Sequence, residues 1–301
     1  MSFTAKYKCR KKGVQPGCKV KNLLYLSMKE EVKVVLRPGG SSGIGAAAAR
    51  ILCDAGMTVY AASRSGKAPE GYSGSGNMHP VVMDVNDADA VKAVVDTVLA
   101  EQGRLDAVVC NAGNGIAGPV EETSIEEVEA QFRTTFYGVV KTIDACLPVF
   151  RKQGHGRVVT ISSVAAVAPL PYQGFYSAVK SGILTLTKAL AIETRDFGIQ
   201  CCSILPGDVR TGFTAARKVA VKAQEKKSPY YDRTVRGIEA MSKDEQEGME
   251  PEVIGSAILR QLRRARMKPE VTPTLLYSLL VWAIRRFPQG LVLRVIGWLY
   301  S

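Results

Sequence analysis

The stretch VKVVLRPGGSSGIGAAAA, residues 32–49, joins an apolar run to a glycine-rich turn and an alanine-rich segment. Residues 32–36 have the short, β-branched composition of a buried strand, and residues 46–55 have the composition of a helix. Glycines between a strand and a helix let the backbone approach a pyrophosphate, and the helix N-terminus offers unpaired N–H donors. The stretch therefore predicts a strand, a dinucleotide-binding turn and a helix, although a structural turn without a ligand fits the same residues.

Short apolar segments alternate with helical patterns along the rest of the chain. We predict strands at residues 32–36, 57–62, 81–83, 105–110, 157–161, 199–205 and 271–273, and helices at residues 46–55, 88–102, 125–151, 175–197 and 255–267. Ser124, with Glu127 three residues later, is the predicted N-cap of the third helix. Such alternation is typical of an α/β fold in which a doubly wound parallel sheet has helices on both faces and binds its ligand at the carboxyl ends of the strands.

The charge of the chain is unevenly distributed. Of the net charge of +12 over 301 residues, seven positive charges lie in residues 1–27, which contain no acidic residue. We predict that residues 1–27 are a basic, disordered extension and that residues 28–301 form a single domain. Because the remainder is only mildly basic, we expect no nucleic-acid partner.

The cysteines and the hydropathy indicate the compartment. Seven cysteines without regular spacing, and no secretory signal, predict reduced thiols in a cytoplasmic protein. Their spacing fits no zinc pattern, so we expect no metal site. No apolar run approaches the roughly 18 residues that a spanning helix requires, and we expect no transmembrane segment.

Residues 163–180, SVAAVAPLPYQGFYSAVK, contain a hydroxyl at Ser163, a phenol at Tyr176 and an ammonium at Lys180. On a helix, the four-residue spacing places Tyr176 and Lys180 on one face. An ammonium within about 4–6 Å stabilises a phenolate and lowers its pKa by roughly 1–3 units, toward a range where it exchanges a proton with a carbonyl or alcohol oxygen. Ser163 could hold the same oxygen. Taken alone, Tyr-x-x-x-Lys also arises by chance in unrelated chains.

Polar residues follow the other predicted strands at their carboxyl ends. Ser63 and Arg64 end the second strand about 20 residues after the glycine turn, where an NAD site places an acid and where an arginine suits the 2′-phosphate of NADP. The remaining strand ends carry Asp84 and Val85, then Asn111, Ala112 and Gly113, and then Pro206 and Gly207. These positions predict a cofactor site that prefers NADP(H) over NAD(H).

With these motifs in this order, residues 32–273 resemble a short-chain dehydrogenase/reductase. The motifs are GGSSGIG, Asn-Ala-Gly, Ser163 followed thirteen positions later by Tyr176-x-x-x-Lys180, and Pro-Gly after the sixth strand. The resemblance implies a Rossmann-like sheet of about seven strands in a catalytic domain. It also implies a nicotinamide cofactor and hydride transfer between that cofactor and a carbonyl or alcohol carbon.

The resemblance further implies roles for single residues. Tyr176 would be the general acid/base, Lys180 would lower its pKa and hold the nicotinamide ribose, and Ser163 would bind the substrate oxygen. The cofactor would contact Gly39, Ser41, Ser42, Gly43, Ile44, Gly45, Ser63, Arg64, Asp84, Val85, Asn111, Ala112, Gly113, Tyr176, Lys180, Pro206, Gly207, Val209 and Thr211. We expect a homo-dimer or homo-tetramer.

Two positions depart from the family pattern. Pro38 replaces a threonine, which removes a hydroxyl and a backbone N–H at the end of a central strand, and Arg37 is an unfavourable residue for a buried strand end. Thr135 stands where the family has a catalytic asparagine that positions a water in the proton relay, and we keep Thr135 as a catalytic candidate. A nicotinamide-cofactor-binding protein with little catalysis, acting as a sensor or assembly partner, is therefore the alternative function.

Residues beyond the sixth strand are expected to select the substrate. Residues 208–248 are charged and helix-prone, as in a mobile lid. Residues 275–301 are apolar and aromatic, with three arginines, and resemble the tail of the 17β-hydroxysteroid dehydrogenase-like branch of the family. We therefore expect an apolar substrate, a steroid- or lipid-like ketone or alcohol.

Three roles for the tail remain open. It could pack on the lid, line an apolar pocket or lie on a membrane surface, because Trp and Arg beside an apolar face also suit an interface. We expect the tail to pack on the lid or on a neighbouring subunit, with at most weak membrane-surface contact. In that arrangement Leu280, Ile284, Leu291 and Trp298 face inward.

Overall fold

A parallel sheet of seven strands is the centre of the molecule, which the computed structural model describes over residues 31–72 and 77–300. Its strands lie in the order β3, β2, β1, β4, β6, β7, β9, whereas β5 and β8 pair with each other in a separate sheet. The expected doubly wound α/β fold is confirmed. In chain order the strands are β1 (Val34–Pro38), β2 (Thr58–Ser63), β3 (Met78–Val82), β4 (Ala107–Cys110), β5 (Ile116–Ala117), β6 (Gly156–Ile161), β7 (Ile199–Ile204), β8 (Lys218–Val219) and β9 (Glu270–Val271).

Helices cover both faces of the sheet. Val34 and Leu36 of β1 pack in one core with α2, α4 and α5, and Val35, which points the opposite way, packs in a second core with α1 and α8. In chain order the α-helices are α1 (Gly43–Asp54), α2 (Ala88–Gln102), α3 (Ile125–Phe132), α4 (Gly138–Gln153), α5 (Gly174–Glu193), α6 (Phe213–Ala216), α7 (Tyr231–Gln246), α8 (Pro251–Leu262), α9 (Leu275–Arg286) and α10 (Gln289–Tyr300).

The order of the strands places the ligand crevice. From β1 the chain moves outward through β2 and β3, and it then returns to the other side of β1 to form β4. The loops after β1 and β4 therefore diverge at the carboxyl edge, and this switch point is where open α/β sheets bind ligands. The glycine turn follows β1, and Asn111 follows β4.

Several predicted boundaries were wrong. The predicted helix 125–151 begins at Ser124 with the expected capping box, but a π-helical turn at Arg133–Tyr137 separates α3 from α4. The strand predicted at residues 81–83 begins earlier, at Met78, and includes Pro80, which β3 tolerates because it is an edge strand. The predicted helix 255–267 is α8, which starts earlier because Pro251 is accommodated in its first turn.

Arg37 is the largest fully buried side chain among the described residues, although an arginine is unfavourable at that place. Its Nε donates to the carbonyl oxygen of Gly45 and its Nη2 to that of Ile44, both at 2.8 Å, which ties β1 to the first turn of α1. Burial lowers the pKa of Arg37 to about 9. The guanidinium therefore lies directly beneath the glycine turn.

The predicted extension, residues 1–27, lies outside the described residues. Residues 32–301 form one compact unit. None of the described helices is both long and apolar enough to cross a membrane.

Candidate active site

The glycine turn between β1 and α1 is shaped by close backbone contacts. Gly39 has φ +71°, and a Cβ at this position would lie 2.8 Å from the backbone of Ala112. A Cβ on Gly45 would lie 1.8 Å from the carbonyl oxygen of Gly39, so only glycine fits there. Ser42 is the N-cap of α1, but its side chain makes no capping hydrogen bond. The N-terminus of α1 thus faces a cradle without bulky side chains, which fits a dinucleotide phosphate.

A cavity of about 630 Å³ lies at the carboxyl edge of the sheet and brings most of the predicted site together. The glycine turn forms one wall, and the loops after β4, β6 and β7 form others. The predicted residues that line it are Gly39, Ser42, Gly43, Ile44, Asn111, Ala112, Gly113, Ser163, Tyr176, Lys180, Pro206, Gly207, Val209 and Thr211.

Ser163 and Ser162 follow β6 and face opposite ways, as neighbours on an extended strand do. The hydroxyl of Ser162 is buried and donates to the carbonyl oxygen of Lys180 at 2.8 Å, so it holds α5 against the sheet. The Oγ of Ser163 accepts from the backbone N–H of Ala165 at 3.1 Å, and Ser163 lines the cavity together with Tyr176, whose pKa it lowers in part. Ser163 and Tyr176 are therefore placed to contact the same substrate oxygen.

Lys180 lies one helical turn after Tyr176 on α5, with its Nζ 5.6 Å from the centre of the Tyr176 ring. The Nζ donates to the carbonyl oxygen of Ile161 at 2.9 Å. Burial raises the pKa of Tyr176 to about 12, although the hydrogen bond from Ser163 lowers it in part, and burial lowers the pKa of Lys180 to about 8. The predicted lowering of the Tyr176 pKa is thus wrong in direction for this structure, because desolvation by burial is the largest influence on that pKa.

Other predicted residues lie outside the cavity lining. Ser63 and the exposed Arg64 end β2, and Asp84 accepts a hydrogen bond from the backbone N–H of Asn86 at 2.9 Å. Val85 is buried against Gly138. Their cofactor contacts stay predictions, as do those of the two turn residues that lie outside the lining, Ser41 and Gly45.

Thr135 is fully buried in the π-helical turn and also lies outside the cavity lining. Its hydroxyl donates to the side-chain Oδ1 of Asn114 at 3.0 Å and accepts from the side-chain amide of Gln131 at 3.2 Å. Asn114 itself lines the cavity and was missed in the sequence. Its place directly after Asn-Ala-Gly was the available signal.

The segment after β7 and the tail close the cavity on its substrate side. The Tyr277 hydroxyl donates to Oδ2 of Asp208 at 2.8 Å and accepts from the Asp208 backbone N–H at 2.9 Å. The Tyr300 hydroxyl donates to Asp244 at 3.0 Å. The predicted contact between the tail and the lid segment is therefore present, although the mobility of residues 208–248 stays a prediction.

The tail helices α9 and α10 do not face inward as expected in every position. Ile284 is buried, and Leu280 and Leu291 are partly exposed but line the cavity, whereas Trp298 is 82% exposed and lies outside the lining. On α10 the buried residues are Val292 and Ile296. Trp298 follows Ile296 by two positions, or about 200° around the helix, and so points away from the core.

Comparison with known proteins shows which family the chain is similar to. The profile of the short chain dehydrogenase family matches residues 33–221. The chain is 38% identical to the 3-ketodihydrosphingosine reductase of Bacteroides thetaiotaomicron over 232 residues, which cover 77% of this chain and 84% of that protein.

Two solved structures share the fold. A short-chain dehydrogenase from Streptomyces avermitilis superposes with a TM-score of 0.76 at 27% identity, over 90% of this chain and 97% of that one. The 3-ketoacyl-(acyl-carrier-protein) reductase of Brucella melitensis, complexed with NADH, has a TM-score of 0.67 at 23% identity, over 80% and 96%. Because the family profile spans more than half of the chain and the Bacteroides relative aligns over most of both proteins, the chain belongs to the short-chain dehydrogenase family and is a nicotinamide-dependent oxidoreductase of CH–OH and C=O groups.

Proposed function

We propose that the protein is an NADP(H)-dependent reductase of a long-chain, lipid-like ketone. The observation that carries this proposal is the form of the cavity. It begins at Ser163 and Tyr176 and continues between α9 and α10 as an apolar channel lined by Leu280, Ala283, Ile284, Phe287, Leu291, Val292, Val295, Ile296 and Leu299. A ketone at Tyr176 would thus extend an alkyl chain into this channel, where each buried CH₂ contributes about 0.8 kcal/mol.

The catalytic end of the cavity is polar. Asp208 and Glu245 line it, and Glu245 pairs with Arg217, whose side chain is almost fully buried. Because Arg217 neutralises Glu245, the Asp208 carboxylate leaves this wall with one net negative charge, which favours a substrate with a cationic group near its carbonyl. The Bacteroides relative is named for 3-ketodihydrosphingosine, a long-chain amino ketone, which supports an amphiphilic substrate over a steroid.

The NADP(H) preference rests on Arg64. Its exposed side chain follows β2, and residues 63–65 provide no carboxylate to take the ribose hydroxyls. One charge-assisted contact to a phosphate contributes roughly 1.5–3 kcal/mol, so NADP(H) should bind at least about tenfold more tightly than NAD(H). Arg64→Ala should remove most of this preference, whereas Lys67→Ala, an exposed cation in the same loop, should retain it. Equal affinities in the parent protein would contradict the assignment.

The proposed reaction is tested by following NADPH consumption with a panel of 3-ketones of increasing chain length, with amino ketones and with steroid ketones. We expect kcat/KM to rise with chain length and to be highest for amino ketones. Tyr176→Phe should abolish turnover and still bind NADPH. Turnover of steroid ketones alone would show that the substrate is a steroid and not a long-chain ketone. NADPH binding without turnover of any ketone would support a cofactor-binding protein with little catalysis.

A further inference from the structure

The tail carries more than half of the large apolar side chains that are exposed in the described chain. Eleven of the nineteen large apolar side chains that are exposed lie within residues 275–300. They include Trp282, which is 62% exposed, and Trp298, which is 82% exposed. Exposed patches of this kind mark an interaction site.

The inner faces of α9 and α10, opposite the exposed side chains, pack against the rest of the enzyme. Val281, Ile284, Val292 and Ile296 form a small core with Val164 and its neighbours, directly after Ser163. Tyr277 of α9 is hydrogen-bonded to Asp208 and Tyr300 of α10 to Asp244, and these bonds hold the two helices in place. The outer face of the two helices is therefore fixed relative to the enzyme.

The wall of the substrate channel and this outer face belong to the same two helices. Leu280, Phe287, Leu291, Val295 and Leu299 line the cavity and are each 43–53% exposed, an area that includes the part facing the cavity. The apolar channel and the exposed apolar face are therefore adjacent on α9 and α10.

The charge of the tail distinguishes between possible partners. Residues 275–300 contain Arg285, Arg286 and Arg294 and no acidic residue. Arg285 is paired with Glu270, whereas Arg286 and Arg294 are exposed and, within the described chain, have no carboxylate within ion-pair distance. A second copy docked through the same face would bring like charges together, but anionic headgroups complement them.

We propose that the outer face of α9 and α10 docks on the surface of an anionic lipid bilayer and takes the ketone from it. Each helix has twelve residues, or about 18 Å, which is too short to span a bilayer core but suits a helix lying in its surface. Uptake of the substrate rests on the proposed function. Docking itself does not.

Vesicle flotation of the purified full chain tests the docking. Vesicles of phosphatidylcholine mixed with phosphatidylglycerol should carry the protein, and vesicles of phosphatidylcholine alone should carry much less. Trp282→Ser combined with Trp298→Ser should lower the partition coefficient at least roughly tenfold, because two large apolar side chains no longer enter the interface. Ile192→Ser, which removes an exposed apolar side chain of α5, is the matched control and should bind as the parent does.

The charge contribution is measured separately. Arg286→Gln and Arg294→Gln should each weaken binding to the anionic vesicles roughly fivefold and leave binding to neutral vesicles unchanged. Circular dichroism melting shows whether each variant is folded. With a short water-soluble ketone, the tryptophan variants should turn over as the parent does. With a long-chain ketone embedded in vesicles, they should lose most of their rate.

Three results would overturn the proposal. The first is a folded parent protein that does not float with anionic vesicles. The second is a pair of tryptophan substitutions that leaves flotation as in the parent. The third is a dimer in sedimentation that the tryptophan variants convert to a monomer without any vesicle binding, since the face would then be a subunit interface. If no ketone is reduced but the protein still floats, the proposed function fails and the docking stands.

Discussion

Lys180 holds a positive charge in a buried site where its Nζ donates to a neutral carbonyl, that of Ile161. Burial lowers its pKa from 10.5 to about 8, which makes the charged form costly in the folded protein. Between about pH 8 and pH 10.5, the unfolded chain therefore holds the Lys180 proton more tightly than the folded protein does. The role proposed for Lys180 requires the cation, and the folded protein loses stability by keeping it.

Lys180→Met should stabilise the protein in the absence of cofactor. Below pH 8 both states of the parent are protonated and the penalty is complete, at about 3 kcal/mol. As the pH rises from 8 toward 10.5 the folded state releases its proton first, so the penalty disappears and the variant loses its advantage. Denaturant unfolding at pH 7 and pH 10 measures the difference, with the exposed Lys152→Met as the control. An advantage that does not change with pH would contradict the assignment.

The burial of Arg37 beneath the glycine turn also lowers the stability of the folded protein. Its Nη1 is buried and has no hydrogen-bond partner within the described residues, which costs roughly 1–3 kcal/mol. Arg37→Leu should raise the unfolding free energy by about this amount, because a buried charge replaced by an apolar side chain is often stabilising. Thermal unfolding measures it. A clear loss of stability would mean that the bonds to Gly45 and Ile44 outweigh the desolvation.

At the scale of single residues, the sequence predicted which candidate side chains lie together better than it predicted the direction of the Tyr176 pKa shift. Ser163, Tyr176 and Lys180 meet in one cavity, as their spacing indicated. The direction of the Tyr176 pKa shift was wrong, since burial depends on packing that a local motif does not contain. Asn114 was missed because its contact with Thr135 joins positions 21 residues apart.

Among the elements, the tail helices α9 and α10 each have a buried apolar face and an exposed apolar face. The inner face closes the cavity and the outer face remains exposed. The strands were largely predictable, because a buried parallel strand is a short apolar run with clear ends. The π-helical turn was not, since one extra residue in a helical turn leaves the apolar pattern nearly unchanged.

Ala283→Trp should fill the channel between α9 and α10. Ala283 lines the cavity, so the larger ring would displace several CH₂ groups of a long substrate and lower its kcat/KM roughly 10- to 100-fold. A short ketone does not reach this point and should keep its rate. Leu279→Trp, which adds a ring at an exposed position outside the lining, should change neither rate. Equal losses for short and long ketones in the Ala283 variant would contradict the channel.

In the whole molecule, one cavity joins the carboxyl edge of the sheet to the tail helices. The proposed cofactor site lies at the switch point between β1 and β4, and α5 brings Tyr176 and Lys180 to the same edge. Alternating strands and helices indicated this arrangement. The substrate was less predictable, because the channel depends on how residues beyond β7 pack on that edge.

In the proposed reaction, a hydride passes from NADPH to a long-chain ketone bound in this cavity, and Tyr176 supplies the proton. NADPH deuterated at the transferring C4 position should be incubated with the enzyme and a long-chain 3-ketone, and the alcohol should be analysed by mass spectrometry. One deuterium on the carbinol carbon, in the parent protein and not in Tyr176→Phe, is the predicted result. An alcohol without deuterium, or equal formation by Tyr176→Phe, would contradict the account.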